Sequence, residues 1–176
     1  VIASIPKARE EIKSMINKAA EFLPDDYLLC LVSAYRDKET QQKHWEETLN
    51  KIKIDFPYLS QEEQERKSRL LTADPNIAGP HQTGGAIDVI LLNRDKERIP
   101  MGTEYRESTK KTTMFSKYCT KKEKKNRLVL RKAMIKAGFW YYPGEWWHYC
   151  YGDKMWAVYT GNDIAIYGPI NLNNYD

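Results

Sequence analysis

The residues best placed to do chemistry in this chain are a histidine and an aspartate seven positions apart. Ala86 to Leu92 is an apolar run bounded by turn residues, which predicts a β-strand. Alternation along that strand puts Ala86, Asp88, Ile90 and Leu92 on one face and Ile87, Val89 and Leu91 on the other. Asp88 is therefore a carboxylate on a strand that is apolar on both faces, a costly placement unless it is paired or holds a metal. His81 lies just upstream, across the Gly84-Gly85 pair, where the backbone can bend sharply. Folded toward each other, the two supply two thirds of a zinc site.

The chain has only three histidines from which to draw another ligand. His44 stands among Lys43, Glu46 and Glu47 and reads as an ordinary surface residue. His148 follows Glu145 by three positions in an aromatic stretch; alone, it reads as a core histidine hydrogen-bonded beside tryptophans. With His81 and Asp88 the reading reverses, because two histidines and one carboxylate form a catalytic zinc set with one position left open for water. Glu145 then supplies a nearby carboxylate that need not bind the metal and is suited to take a proton from that water. The structural alternatives are a solvated turn residue for Glu145 and a strand aspartate satisfied by backbone donors for Asp88.

Elements must bring these segments together. A first helix opens at Pro6 and carries Ala8, Ile12, Met15, Ile16, Ala19 and Phe22 at helical spacing, ending at Pro24-Asp25-Asp26. Tyr27 to Tyr35 is a continuous apolar run that predicts a fully buried strand, with Arg36 as a cation at its mouth. Asp37 caps a second helix to about Ile54, with Trp45, Leu49 and Ile52 inward. Ser60 to Glu63 is a capping box for a short helix to about Leu71, and Asp74-Pro75-Asn76 breaks the chain into a loop leading to His81. After the Asp88 strand, Asn93 to Lys96 reads as a hairpin turn and Pro100 to Tyr118 as a long loop. Thr120 to Glu123 is another capping box, opening a helix through Leu128, Arg131, Met134 and Ile135 that Gly138 stops. The end reads as β-rich: Phe139 to Tyr142, Glu145 to Tyr149 and Met155 to Tyr159, punctuated by Pro143-Gly144 and Gly152-Asp153. The sum is an α+β fold with a mainly antiparallel central sheet flanked by helices and the zinc site at the sheet face.

The bulk numbers agree with one folded unit over residues 1–176. At 41% hydrophobic and 30% charged, 176 residues read as soluble and globular. No apolar run approaches the roughly 18 residues of a membrane helix. A net charge of +4 permits an anionic partner but does not point to nucleic acid. Lys121, Lys122, Lys124 and Lys125 read as the solvated face of a helix start, and the late tryptophans and tyrosines as pocket walls and core. Three cysteines without a CxxC spacing favour a reducing, cytoplasmic compartment. The chain opens on Val1 rather than methionine, so a periplasmic location stays open.

His81-x-x-Gly84-x-Ala86-x-Asp88 followed by Glu145-Trp146-Trp147-His148 resembles the zinc site of the D-alanyl-D-alanine dipeptidases of vancomycin resistance, within the larger family of peptidoglycan D-Ala-D-Ala metallopeptidases. Ser33-Ala34-Tyr35-Arg36 resembles that family's strand-end arginine segment, Met101-Gly102-Thr103 its loop after the hairpin, and Met155-Trp156-Ala157 its last strand. The resemblance implies one Zn2+ per chain held by His81, Asp88 and His148. It implies Glu145 as general base and then general acid, Arg36 as oxyanion stabiliser, and a small dipeptide as substrate. Three features depart from the pattern: Gly79 stands where a serine is frequent, Tyr105-Arg106-Glu107 stands where phenylalanine-aspartate is frequent, with Glu107 a candidate anchor for a substrate amine, and the family usually carries more chain before its first helix. Two other readings remain open. One is a D,D- or L,D-carboxypeptidase acting on stem peptides; the other is a non-catalytic zinc-binding module, since the hedgehog signalling domain has a similar site. Oligomeric state is not legible.

Overall fold

The computed structural model describes residues 6–77 and 79–172. Four strands form a single antiparallel sheet in the order β1-β2-β4-β3: β1 (Leu28–Ser33), β2 (Ala86–Leu92), β3 (Trp140–Tyr141) and β4 (His148–Cys150). Five helices surround it: α1 (Glu10–Glu21), α2 (Lys38–Asp55), α3 (Gln61–Arg69), α4 (Lys121–Lys136) and α5 (Lys154–Thr160). This is the expected α+β architecture, with every strand pair antiparallel. Among the described residues no helix is long and apolar enough to cross a membrane.

β2 is the central strand, and its composition explains why. Ile87, Val89 and Leu91 are fully buried, and Ala86, Asp88 and Ile90 on the other face are nearly so. An apolar strand covered on both faces belongs in the middle of a sheet. β1 departs from the full burial expected over Tyr27–Tyr35. It is shorter, and each of its residues is only half-buried. The reason is position: β1 pairs with β2 alone and forms an edge of the sheet. Its pairing also slips. Leu31 faces Val89 but Ser33 faces Asp88, leaving Val32 as an extra residue. Such a bulge kinks the strand and re-aims the residues beyond it.

The helices mostly start where their caps predict. Asp37 accepts from the Thr40 N–H at 2.6 Å, and Ser60 and Thr120 each close a full capping box. α1 opens at Glu10 rather than Pro6, with Ile12, Met15 and Ala19 buried. Phe22 stays partly exposed while Leu23 turns inward. On α2, Trp45 and Ile52 are buried and Leu49 half-buried. On α4 the buried face runs through Asn126, Arg127, Leu130, Ala133 and Met134, so Leu128 lies outside. Lys121, Lys122, Lys124 and Lys125 are set on the solvated start of that helix, as expected. Trp146, Trp147 and Tyr149 are core.

The segment Met155–Tyr159 is a correction: it is helix α5, not a strand. Asp153 accepts from the Trp156 N–H at 2.7 Å, and Gly161 ends the helix in the left-handed region at φ 73°. A local cap and stop thus override an aromatic, β-branched composition.

The loop from Pro100 to Tyr118 has no regular structure, yet it is firmly held. Arg127, 2% exposed, donates to the carbonyls of Met101 (2.7 Å), Thr113 (2.6 Å) and Lys111 (2.7 Å), and its guanidinium lies 6.0 Å from the Trp146 ring. Trp146 Nε1 donates to Thr103 Oγ1 at 2.8 Å. One buried cation therefore supplies the donors that a loop without a ladder lacks. Arg127→Met leaves those carbonyls unpaired and is expected to lower unfolding free energy by on the order of 3 kcal/mol, read from the urea midpoint; a midpoint equal to the parent would show that water replaces the guanidinium without penalty.

Candidate metal centre

His81, Asp88 and His148 each offer a ligand atom within 4.8 Å of the others, and all three are buried. The sheet register and one short turn bring them together. Asp88 on β2 sits directly opposite His148 on β4. His81 lies in a 3-10 turn, Pro80–Thr83, that leads into β2 through Gly84 and Gly85. Gly84 has φ 69°, and a side chain at Gly85 would run into the carbonyl oxygen of Tyr151. The pair thus folds the turn back over the strand. Gly79 has an ordinary φ, and a Cβ there would lie 3.0 Å from the Ala73 methyl carbon, a tight contact that glycine avoids.

The bulge in β1 sets the orientation of His81. Beyond it, the Ala34 carbonyl meets His81 Nδ1 at 2.6 Å, and the Arg36 N–H donates to the His81 carbonyl at 3.2 Å. With Nδ1–H donating to that carbonyl, Nε2 is the ring nitrogen that faces Asp88 Oδ1, 3.3 Å away. His148 Nδ1 approaches that same oxygen at 3.1 Å, and the two imidazoles meet edge to face at 5.0 Å. Two rings converging on one carboxylate oxygen in a buried place fit a cation held between them. Two nitrogens and one oxygen are also a donor set suited to zinc. Burial pushes the Asp88 carboxyl up, but the two histidines outweigh it and hold it far below the usual range. For His148, burial opposes the charged ring, yet the bond to Asp88 prevails and its pKa rises. The structure thus assembles the three residues expected to bind metal.

Glu145 and Arg36 flank the triad. Glu145 ends the turn that follows β3: its N–H donates to the Tyr142 carbonyl at 3.3 Å, with Pro143-Gly144 between. Burial pushes its carboxyl up, only partly opposed by His148. Arg36 is half-buried at the exit of β1; burial lowers its pKa, while Asp88, Tyr105 and Glu145 act as nearby negative or polar partners. All five residues singled out in the sequence therefore share one electrostatic neighbourhood.

The residues that support these five do not stand out in the sequence. Gln41, 2% exposed, accepts from Arg36 Nη1 at 3.0 Å and donates to the Ala73 carbonyl at 2.7 Å, fixing the guanidinium. It follows the Asp37 cap by one turn, on a helix face that only the fold shows to be inward. Tyr105 donates to Asp88 Oδ2 at 2.8 Å from the long loop. Burial and Asp88 raise its pKa, so it remains a donor. His44 is not the ordinary surface residue expected. It is half-buried one turn after Gln41, its Nδ1 has no partner, and burial with Arg36 and Arg106 lowers its pKa to about 4. The Glu107 carboxylate accepts from the Glu104 N–H at 2.9 Å within its own turn.

The chain is similar to known proteins. A family model described as D-ala-D-ala dipeptidase matches residues 7–164. A D-alanyl-D-alanine dipeptidase from Synechocystis is 32% identical over 119 residues, 55% of this chain and 46% of that protein. One from Enterococcus faecium is 35% identical over 75 residues, 42% of this chain and 37% of that protein. The matches thus span less than half the length of these curated relatives. Among solved structures, the vancomycin-resistance D,D-pentapeptidase VanY of a VanB-type cassette, in complex with Zn(II), aligns with TM-score 0.50 at 17% identity over 89% of this chain and 77% of that one. VanYB in complex with D-alanine-D-alanine aligns with TM-score 0.51 at 18% identity, covering 86% and 75%. These two likenesses bear on the fold.

If the triad holds a metal, the purified chain binds one zinc ion, and chelation lowers its melting temperature by the loss of about 2.7 kcal/mol at a free ion concentration 100 times Kd. Asp88→Ala should abolish stoichiometric binding by metal analysis; retention of one equivalent would place the ion elsewhere.

Proposed function

The chain belongs to the D-Ala-D-Ala dipeptidase family, and from that membership we infer that it is a zinc-dependent metallopeptidase hydrolysing D-Ala-D-Ala or a close dipeptide in cell-wall precursor metabolism. The observation that carries this reading is the convergence of His81, Asp88 and His148 with Glu145 and Arg36 beside them. The names of the matched relatives, and the Zn(II) and D-alanine-D-alanine complexes of the structural neighbours, support it.

His81, Asp88 and His148 would hold the ion. Zinc bound there supplies a Lewis acid that polarises the scissile carbonyl and brings the pKa of a water near 7. Glu145 takes the proton of the attacking water and passes it to the departing amine nitrogen as the C–N bond breaks. Its raised carboxyl pKa suits both steps, being closer to neutrality than an exposed glutamate. Arg36, held by Gln41, presents a fixed and partly desolvated cation to the oxygen that gains charge. Because the guanidinium is anchored beforehand, little reorganisation is needed as that charge develops.

One feature favours a second reading, a D,D- or L,D-carboxypeptidase acting on peptidoglycan stem peptides. A free dipeptide carries its ammonium close to the scissile bond, and binding it calls for an acid. The loop instead offers Arg106, an exposed residue at φ 64° whose charge bears on Arg36, His44 and Tyr105, while Glu107 is engaged in its own turn. An acylated amine brings no charge to such a rim.

Glu145→Ala is expected to keep zinc and lose hydrolysis by about 100-fold to 10,000-fold; surviving turnover would remove Glu145 as the base, and bound zinc with no turnover by the parent on any peptide would favour a binding module. Comparing D-Ala-D-Ala with its N-acylated form separates the two peptidase readings. In that comparison Arg106→Asp should shift the kcat/KM ratio toward the free dipeptide by about tenfold, ~1.4 kcal/mol; an unchanged ratio would show that Arg106 does not select substrate.

A further inference from the structure

The long loop reaches the triad through Tyr105. Its hydroxyl donates to Asp88 Oδ2 at 2.8 Å, while Asp88 Oδ1 faces His81 Nε2 at 3.3 Å and His148 Nδ1 at 3.1 Å. The two carboxylate oxygens are thus divided between two tasks. The phenol is half-buried, and its ring packs edge-on against Trp147 at 5.7 Å, a residue itself 4% exposed. Ser33, opposite Asp88 across the sheet, lies beside it. Tyr105 also lines a cavity of about 330 Å3 with Ile90, Met101 and Trp146. The ring is held on one side by Trp147 and at its hydroxyl by Asp88, which aims the phenol at Oδ2.

A carboxylate can bind an ion through one oxygen or both. For zinc the difference is functional: two histidines and one carboxylate oxygen leave a tetrahedral position open, and a second oxygen competes for it. Hydrogen bonds to the non-coordinating atoms of ligands fix their orientation, and losing one typically costs 10-fold to 100-fold in metal affinity or activity. We propose that Tyr105 is a positioning residue for Asp88: its hydroxyl occupies Oδ2, so that Oδ1 alone faces the ion between His81 and His148. This rests on the zinc-peptidase reading and adds to it a role for a loop residue that touches neither the ion nor the peptide.

Tyr105→Phe deletes one oxygen and keeps the ring against Trp147. Zinc affinity is read by chelator competition, ligand geometry from the visible spectrum of the cobalt-substituted protein, and kcat and KM on D-Ala-D-Ala at saturating zinc. The expected result is about tenfold weaker zinc binding, a weaker cobalt absorption as Oδ2 joins the coordination, and a lower kcat at unchanged KM. The metal-free protein also loses a hydrogen bond to the buried Asp88 carboxylate, so its melting temperature is expected to fall as well, and the cobalt spectrum is the readout that a merely structural role would not move. Unchanged zinc affinity and cobalt spectrum overturn the assignment. So does a drop in metal-free melting temperature with the parent's cobalt spectrum, which marks a merely structural tyrosine. Failure of the parent to bind one zinc is a different outcome, and it sinks the zinc-peptidase reading itself.

Discussion

The arrangement depends on one buried carboxylate. Asp88 sits in the middle strand of the sheet, 3% exposed, with Ile87 and Val89 packed on the opposite face. An isolated charge in such a place is not tolerable, so surrounding elements must supply compensation. β4 supplies His148 by antiparallel register, the 3-10 turn supplies His81, and the long loop supplies the Tyr105 hydroxyl. Each donor comes from a different part of the chain. Satisfying Asp88 therefore closes the fold and builds the site in the same act.

The bulge at Val32 is the geometric counterpart of that requirement. A regular β1 would continue in phase past Asp88, and the residues beyond would point elsewhere. With one residue inserted, the Ala34 carbonyl meets the His81 ring and Arg36 leaves the strand beside the triad, where Gln41 takes its guanidinium. A local irregularity of the edge strand thus fixes both a ligand's tautomer and a cation's direction. Such bulges are frequent next to active sites, where they re-aim side chains.

Much of this is legible in the sequence, for identifiable reasons. The β2 strand, the three side-chain caps at Asp37, Ser60 and Thr120, and the stop at Gly138 are encoded locally, within three or four residues. Three of the five site residues stand out because histidines are scarce and a carboxylate on an apolar strand is conspicuous, whereas Glu145 and Arg36 are legible through their places beside His148 and at the strand mouth and through the family resemblance. Features that depend on neighbours far along the chain are not legible. Half-burial of β1 arises from its edge position, which no pattern within Tyr27–Tyr35 reveals. In α5, four aromatic or β-branched residues argue for a strand, and the Asp153 cap decides for a helix. Gln41 and Tyr105 acquire their contacts with Arg36 and Asp88 only once α2 and the long loop are in place.

Arg127 has a consequence for how such a site changes over time. It holds the loop from behind, through backbone carbonyls at Met101, Lys111 and Thr113, and asks nothing of the side chains between them. Glu104, Arg106 and Glu107 lie on the outer side of that anchored path. The molecule therefore separates what must be kept from what can vary: the loop is fastened through atoms every residue possesses, and its exposed side chains can be replaced without reopening the sheet or disturbing His81, Asp88 and His148.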